Sequence, residues 1–137
     1  TIEILNSTKG PVSLEILVAE DNLMNQSVVK GILTKLGYSS VDFANNGKEA
    51  VEAVQKKKYD LVLMDIQMPE MDGYEATKII KATLKQKIQI VGLSANSFDE
   101  DKKMAKDVGM DDYLEKPVVI SKLSQVLTQL ENIKQKS

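Results

Sequence analysis

Residues 59–73 read YDLVLMDIQMPEMDG and carry the clearest fold signal in the chain. An apolar run, LVLM at positions 61–64, stops at Asp65. Four consecutive apolar residues without polar alternation are typical of a strand buried on both faces, as in a parallel sheet. The proline and glycine after Asp65 indicate a loop before a helix predicted to begin at Tyr74. The stretch therefore predicts a buried strand that ends in an acid.

Asp65 alone does not reveal a function. In open α/β sheets, ligands bind in the crevice outside the carboxyl ends of the strands, so Asp65 is a candidate nucleophile, metal ligand or base. A solvated acid at a strand end is nevertheless the commoner interpretation of a single residue. The choice between them depends on the residues at the ends of the other strands.

The composition excludes several classes of function. The chain has 137 residues, enough for one domain, and its 18 basic and 20 acidic side chains give no basic footprint for nucleic acid. It has no cysteine, which excludes disulfides and thiolate sites, and no histidine, which excludes Ser-His-Asp catalysis, imidazole zinc sites and a phosphohistidine on this chain. Any metal must therefore be bound by oxygen, which favours magnesium, calcium or manganese.

The sequence also predicts where the domain begins and ends. Residues 1–13 are predicted to be a linker or lead-in, 14–133 the folded domain and 134–137 a polar tail. No apolar run approaches the roughly 18 residues of a membrane helix, and no signal-peptide pattern opens the chain. We therefore expect a cytoplasmic domain without direct membrane contact, although its parent protein can be membrane-anchored. Because the first residue is Thr1, we expect a piece of a longer protein.

Strand and helix patterns alternate five times along the chain. We predict a parallel sheet with right-handed connections and helices on both faces, hence one compact α/β domain. The first helix is predicted to bury a stripe four residues apart and to stop at Gly37. The stripe consists of Met24, Val28, Ile32 and Leu36, widened by Val29 and Leu33, and the predicted strands are 16–19, 41–44, 61–64, 88–93 and 113–114.

The residues that come after the predicted strands share one chemistry. They are Glu20 and Asp21 after the first strand, Asp65 after the third, Ser94 after the fourth and Lys116 after the fifth. The acids suit a hard divalent cation, the lysine a phosphoryl charge, and the serine hydroxyl a phosphoryl oxygen. A carboxylate can serve as the nucleophile that forms an acyl phosphate. Each residue alone has an ordinary explanation as a helix cap or surface group. Together they predict a site that takes a phosphoryl group onto an aspartate.

Four motifs containing these residues resemble a response-regulator receiver domain. They are ILVAEDN at 16–22, DLVLMDIQMPEMDG at 60–73, IVGLSAN at 90–96 and GMDDYLEKP at 109–117. The resemblance covers residues 14–130 and is strongest to the receiver of a hybrid sensor histidine kinase. It implies a doubly wound, five-stranded parallel sheet, a (βα)5 flavodoxin-like fold with strand order 2-1-3-4-5. It also implies a phosphoacceptor domain of a two-component phosphorelay, which assists its own phosphorylation and dephosphorylation and carries no kinase catalytic domain in this chain.

The resemblance assigns a role to each matching position. It implies that Asp65 accepts the phosphoryl group, that Lys116 pairs with it, and that Ser94 and Tyr113 form the conformational switch. The implied Mg²⁺ ligands are Glu20, Asp21, Asp65 and the backbone carbonyl of Gln67. The Lys116–Pro117 bond is expected to be cis, and Asn22, Met24, Asn25 and Gln26 near the start of the first helix are expected to dock the partner.

The implied partner is a histidine kinase dimerisation domain or a histidine phosphotransfer protein. The main alternative is a docking module that uses a receiver fold without phosphorylation. An aspartate-nucleophile phosphatase is less favoured because Gln67, two residues after Asp65, is not an acid. A nucleotide-binding fold is disfavoured because the sequence contains neither G-x-G-x-x-G nor a G-K-[ST] loop.

Overall fold

Five strands alternate with five helices within residues 13–84, 88–95 and 99–136, the parts of the chain that the computed structural model describes. The strands are β1 (Ile16–Ala19), β2 (Val41–Ala44), β3 (Leu61–Asp65), β4 (Gln89–Ser94) and β5 (Asp112–Glu115). The helices are α1 (Leu23–Lys35), α2 (Gly47–Lys56), α3 (Gly73–Thr83), α4 (Asp99–Val108) and α5 (Ile120–Lys136). The predicted strand ends differ from these by at most one residue.

All strand pairs are parallel, and the order in the sheet is β2-β1-β3-β4-β5, which confirms the predicted doubly wound topology. The register places the carboxyl ends of the central strands side by side. Ala19 lies opposite Met64, Asp65 opposite Leu93, and Ser94 opposite Glu115. Residues that end β1, β3, β4 and β5 therefore meet at one edge of the sheet.

Two hydrophobic cores, one on each face of the sheet, explain the unbroken apolar run of β3. Leu61 and Leu63 face one core, which includes residues of α1 and α5, whereas Val62 and Met64 face the other, which includes residues of α2, α3 and α4. All four side chains are fully buried. A strand covered on both faces cannot alternate apolar and polar residues, since both sets of side chains lie in a core.

The predicted buried stripe of α1 is wrong at Met24 and Val28 and right at Val29 and Leu33. Met24 is 77% exposed and Val28 49% exposed, whereas the buried residues of the helix are Gln26, Val29 and Leu33. Residues four apart drift around a helix that has 3.6 residues per turn, so the sequence offered two overlapping stripes. The buried row consists of Gln26, Val29 and Leu33, and the polar side chain of Gln26 concealed the start of that row.

The predicted stop of α1 at Gly37 is confirmed, and a second glycine, Gly109, ends α4 in the same way. Gly37 after α1 has φ 96° and Gly109 after α4 has φ 101°, in the left-handed region that disfavours side chains. After α1, the Tyr38 N–H donates to the carbonyl of Leu33 at 2.9 Å, which satisfies one of the last carbonyls of the helix.

Helix α5 continues to Lys136, so residues 134–136, which were predicted to be a polar tail, are helical. Lys134 Nζ donates to the carbonyl of Ser13 at 2.6 Å and to Asp60 Oδ2 at 3.1 Å. These contacts attach the polar end of α5 to the lead into β1 and to the residue before β3. The remaining predicted lead-in, residues 1–12, and Ser137 lie outside the described residues.

Two helical glycines, one inside α1 and one at the start of α2, provide a matched test of backbone packing. A Cβ at Gly47 would overlap the carbonyl oxygen of Met71, to which the Gly47 N–H donates at 3.0 Å, whereas a Cβ at Gly31 would meet nothing within 4 Å. We expect Gly47→Ala to lower the free energy of unfolding by about 3 kcal/mol. Gly31→Ala should raise it by about 0.5–1 kcal/mol, because alanine favours a helix interior. Urea unfolding measures both, and equal effects of the two substitutions would contradict the structure.

Candidate functional site

An ammonium group joins the ends of three strands. Lys116, which comes directly after β5, places its Nζ 3.0 Å from Asp65 Oδ2 and 3.1 Å from Glu20 Oε1. Its backbone N–H donates to the carbonyl of Ser94 at 2.7 Å. Both carboxylates are buried, with exposed fractions of 1% for Glu20 and 3% for Asp65. Buried charges require a partner, and here two carboxylates share one cation.

Backbone groups hold the second oxygen of each buried carboxylate. The Asn22 N–H donates to Glu20 Oε2 at 3.1 Å, and the Gln67 N–H lies 3.3 Å from Asp65 Oδ1. The two carboxylates are therefore oriented by the loops at the ends of their own strands. Glu20 has a second role in the sheet, because its N–H donates to the carbonyl of Ala44 at 3.0 Å.

The acids also form a group whose geometry fits a cation. Carboxylate oxygens of Glu20, Asp21 and Asp65 lie within 4.8 Å of one another, and Asp21 is exposed. Three acids beside one lysine leave excess negative charge, and their oxygens are the ligands that Mg²⁺ prefers. A cavity of about 210 Å³ opens at this point, and its lining includes all three acids with Asn25, Gln67, Ser94 and Lys116.

The acids raise the pKa of the lysine. Burial lowers the pKa of Lys116, but the hydrogen bonds and charges of Asp65 and Glu20 outweigh it and raise the pKa above its usual range. The side chain is therefore a permanent cation near neutral pH. A fixed positive charge 3.0 Å from Asp65 suits an anionic group that arrives at that carboxylate.

Gly73 brings the start of α3 against the acid-bearing strand. Its N–H donates to the carbonyl of Ile66 at 2.8 Å, and a Cβ there would overlap the carbonyl oxygen of Asp65. Helix α3 begins at this glycine, one residue earlier than predicted, and Asp72 caps it by accepting from the Glu75 N–H at 2.9 Å. The glycine of the MDG segment is therefore required by a close backbone approach.

Ser94 and Tyr113 lie in different surroundings. Ser94 is 5% exposed and lines the acidic cavity. Tyr113 is partly buried against the core on the α2–α4 face and lines a second cavity of about 470 Å³ with Lys102, Pro117, Val119 and Lys122. Lys116 lines both cavities, and the Lys116–Pro117 peptide bond is cis.

The start of α1 combines polar groups near the cavity with exposed apolar side chains. Asn22 caps the helix by accepting from the Asn25 N–H at 3.0 Å, and both asparagines line the acidic cavity. Met24 and Leu23 are exposed by 77% and 73%. Met24 is therefore accessible for the predicted docking, and Asn22 and Asn25 lie beside the acids.

Gln26, which the sequence predicted to be part of the docking surface, is instead buried and hydrogen-bonded to the acid pair. Its amide Nε2 donates to the carbonyl of Glu20 at 2.6 Å and to Asn45 Oδ1 at 2.9 Å, and the residue is 9% exposed. The sequence does contain a signal of this burial. Gln26 lies three residues before Val29 and seven before Leu33, in the same helical row.

The response regulator receiver domain profile matches residues 16–128, most of the chain. The chain belongs to the response regulator receiver domain family. This confirms the resemblance seen in the sequence motifs. Two curated relatives are the hybrid signal transduction histidine kinase B of Dictyostelium discoideum, 44% identical over 85% of this chain, and the osmosensing histidine protein kinase SLN1 of Saccharomyces cerevisiae, 35% identical over 92%. The receiver spans only 6% and 11% of those two proteins.

Solved structures support the same assignment. The receiver domain of a sensor histidine kinase from Pseudomonas aeruginosa, which has magnesium coordinated in its active-site cleft, is similar with a TM-score of 0.80 and 36% identity, covering 88% of this chain and 99% of that one. A chain from the co-crystal structure of the Saccharomyces cerevisiae histidine phosphotransfer protein Ypd1 and the receiver domain of Ssk1 has a TM-score of 0.82 and 32% identity, covering 92% and 94%. Among the described residues of this receiver, no helix has both the length and the apolar character to cross a membrane.

Proposed function

We propose that this receiver domain accepts a phosphoryl group on Asp65 from the phosphohistidine of a partner, with Mg²⁺ bound by the acidic cluster. The observation that carries the proposal is the buried Asp65 carboxylate, 3.0 Å from Lys116 and beside Glu20 and Asp21 at an open cavity. This arrangement combines a nucleophile, a fixed cation and ligands for a second cation.

The transfer forms one bond and breaks another. A carboxylate oxygen of Asp65 attacks the phosphorus, the P–N bond of the phosphohistidine breaks, and its electron pair returns to the imidazole. Lys116 is placed to neutralise charge on the phosphoryl oxygens, and the Ser94 hydroxyl at the cavity wall is a candidate donor to one of them. Mg²⁺ would be held by Glu20, Asp21, Asp65 and the carbonyl of Gln67, and it would offset repulsion between the acids and the phosphoryl group.

The response to phosphorylation is proposed to be a two-state switch. New phosphoryl oxygens attract Ser94 at the end of β4, and Tyr113 on neighbouring β5 takes up a more buried position. Ser94 and Glu115 pair across the two strands, so a shift of one strand end reaches the other. The switch requires that phosphorylation stabilises one arrangement over the other.

Removal of the exposed acid tests the metal site. We expect Asp21→Asn to weaken Mg²⁺ binding by at least about tenfold, because one carboxylate ligand and one negative charge are lost. Calorimetric titration with Mg²⁺ measures this affinity. The control is Asp107→Asn, which removes an exposed acid from α4 and should leave the affinity unchanged. Equal Mg²⁺ affinity in wild type and Asp21→Asn would remove Asp21 from the proposed ligands.

The partner is proposed to be a histidine phosphotransfer protein or the dimerisation domain of a histidine kinase, met by the receiver in the cytoplasm. The hybrid kinases among the relatives and the Ypd1 complex among the similar structures support this class of partner. Asn22, Asn25 and exposed Met24 form the proposed contact surface beside the acidic cavity. An apolar side chain exposed to this extent suits a buried position in a complex.

Transfer from a phosphorylated phosphotransfer protein tests the function and the surface together. We expect Met24→Glu to slow the transfer at least about tenfold, since a charge would be buried in the contact, while labelling by acetyl phosphate stays unchanged. Met104→Glu, at an exposed methionine on α4, is the control and should transfer at the wild-type rate. If wild type accepts no phosphoryl group from any donor, a phosphorylation-independent docking module becomes the better explanation.

A further inference from the structure

Gln26 joins the first acid to a neighbouring loop. Its Nε2 donates one hydrogen to the backbone carbonyl of Glu20, at 2.6 Å, and one to Asn45 Oδ1, at 2.9 Å. A side-chain amide nitrogen carries two hydrogens, so both are used. The side chain is buried, so the loss of either acceptor would leave an unpaired donor in the interior and lower the stability of the fold.

These bonds fix the backbone at the acid pair. The Glu20 N–H is held by the carbonyl of Ala44 at 3.0 Å, and its carbonyl is held by Gln26. That carbonyl belongs to the peptide that joins Glu20 to Asp21. Asp21 is exposed, so the direction of its side chain depends on the orientation of this peptide rather than on surrounding packing.

The other end of the link is itself anchored. Asn45 donates its N–H to Glu49 Oε1 at 2.8 Å, and Glu49 donates its own N–H to the Asn46 side chain at 2.8 Å. These bonds cap the start of α2. Gln26 therefore ties the acid pair to a helix terminus rather than to a free loop.

We infer that Gln26 is a positioning residue that sets the Mg²⁺ affinity of the acid pair. Its amide fixes the peptide between Glu20 and Asp21, and this orients the Asp21 carboxylate toward the oxygens of Glu20 and Asp65. The inference rests on the metal site of the proposed function. It gives a buried polar residue of α1 a role distinct from partner docking, which belongs to the exposed side of that helix.

Gln26→Met tests the inference because methionine retains the length of the side chain and removes both donors. We expect Mg²⁺ affinity, measured by calorimetry on the full folded chain, to fall by about tenfold. Ser27→Met introduces the same side chain at an exposed neighbouring position and should leave the affinity unchanged. Asn45→Ala retains the bond from Gln26 to Glu20 and should have a smaller effect than Gln26→Met.

A second measurement needs no substitution. The side-chain amide signals of Gln26 in the NMR spectrum of the wild-type protein should shift on addition of Mg²⁺. The Mg²⁺ concentration at the midpoint of this shift should equal the midpoint for the backbone amide signals of Glu20 and Asp21. A residue with a merely structural role would lower stability when replaced and leave the metal affinity of the folded protein unchanged.

The outcomes separate this inference from the proposed function. If wild type binds no Mg²⁺, the proposed metal site fails and the inference fails with it. If wild type binds Mg²⁺ and Gln26→Met binds it equally well, the inference is overturned and the proposed function stands. If Gln26→Met does not fold, the NMR measurement on the wild type decides. Side-chain amide signals of Gln26 that do not shift on addition of Mg²⁺ would then overturn the inference.

Discussion

Lys116→Met is expected to slow phosphorylation by acetyl phosphate at least about a hundredfold and to destabilise the metal-free protein by about 3 kcal/mol. The loss of rate results from removal of the cation beside Asp65. The loss of stability arises because Glu20 and Asp65, both buried, would lose the ammonium that they share at 3.1 and 3.0 Å. Intact mass over time and urea unfolding without metal measure the two effects.

The same substitution, Lys116→Met, should increase the stabilisation of the folded protein by Mg²⁺. In the wild type, Lys116 already pairs with two of the three acids, so it competes electrostatically with the metal. Without the lysine, we expect tighter Mg²⁺ binding and a larger rise in melting temperature on addition of Mg²⁺, because a ligand that binds only the folded state stabilises that state. Thermal unfolding with and without Mg²⁺ measures this response.

Lys81→Met is a matched control for this prediction. Lys81 Nζ bonds Asp111 Oδ2 and the carbonyl of Ile88, both at 3.0 Å, away from the acid cluster. Its replacement should lower stability but leave the phosphorylation rate and the Mg²⁺ response as in wild type. The account would be contradicted if Lys116→Met kept the wild-type rate, or if its melting temperature responded to Mg²⁺ no more than that of Lys81→Met.

The sequence predicted the sheet and the strand-end residues because both depend on local patterns. The run at 61–64 could be interpreted without knowledge of its neighbours, since a strand covered on both faces is apolar throughout. The grouping of Asp65, Ser94 and Lys116 was predictable by the same reasoning, because parallel strands present their carboxyl ends at one edge.

Features that depend on contacts distant in sequence were not predictable in this way. The stripe of α1 was predicted to include Met24 and Val28 as well as Val29 and Leu33, because apolar character alone cannot show which of two overlapping rows faces the sheet. Gln26 was assigned to the docking surface for the same reason, since a polar residue near the start of a helix gives no sign of buried acceptors at Glu20 and Asn45. The close approach at Gly47 depends on Met71, 24 positions later, and is visible only in the folded chain.

Asp65→Asn is expected to abolish phosphorylation. The substitution retains the shape of the side chain but removes the carboxylate that forms the acyl phosphate and one acid of the cluster. Asp107→Asn, at an exposed acid on α4, should be phosphorylated as wild type and controls for the loss of one charge. Folding of Asp65→Asn can be checked by urea unfolding.

The most direct test of the account is the intact mass of the wild-type protein and Asp65→Asn after incubation with acetyl phosphate, with and without Mg²⁺. We expect wild type to gain the mass of one phosphoryl group only when Mg²⁺ is present, and Asp65→Asn to gain none. A phosphoryl group that still appears on Asp65→Asn, or no gain by the wild type in either condition, would contradict the assignment of Asp65 as the phosphoacceptor.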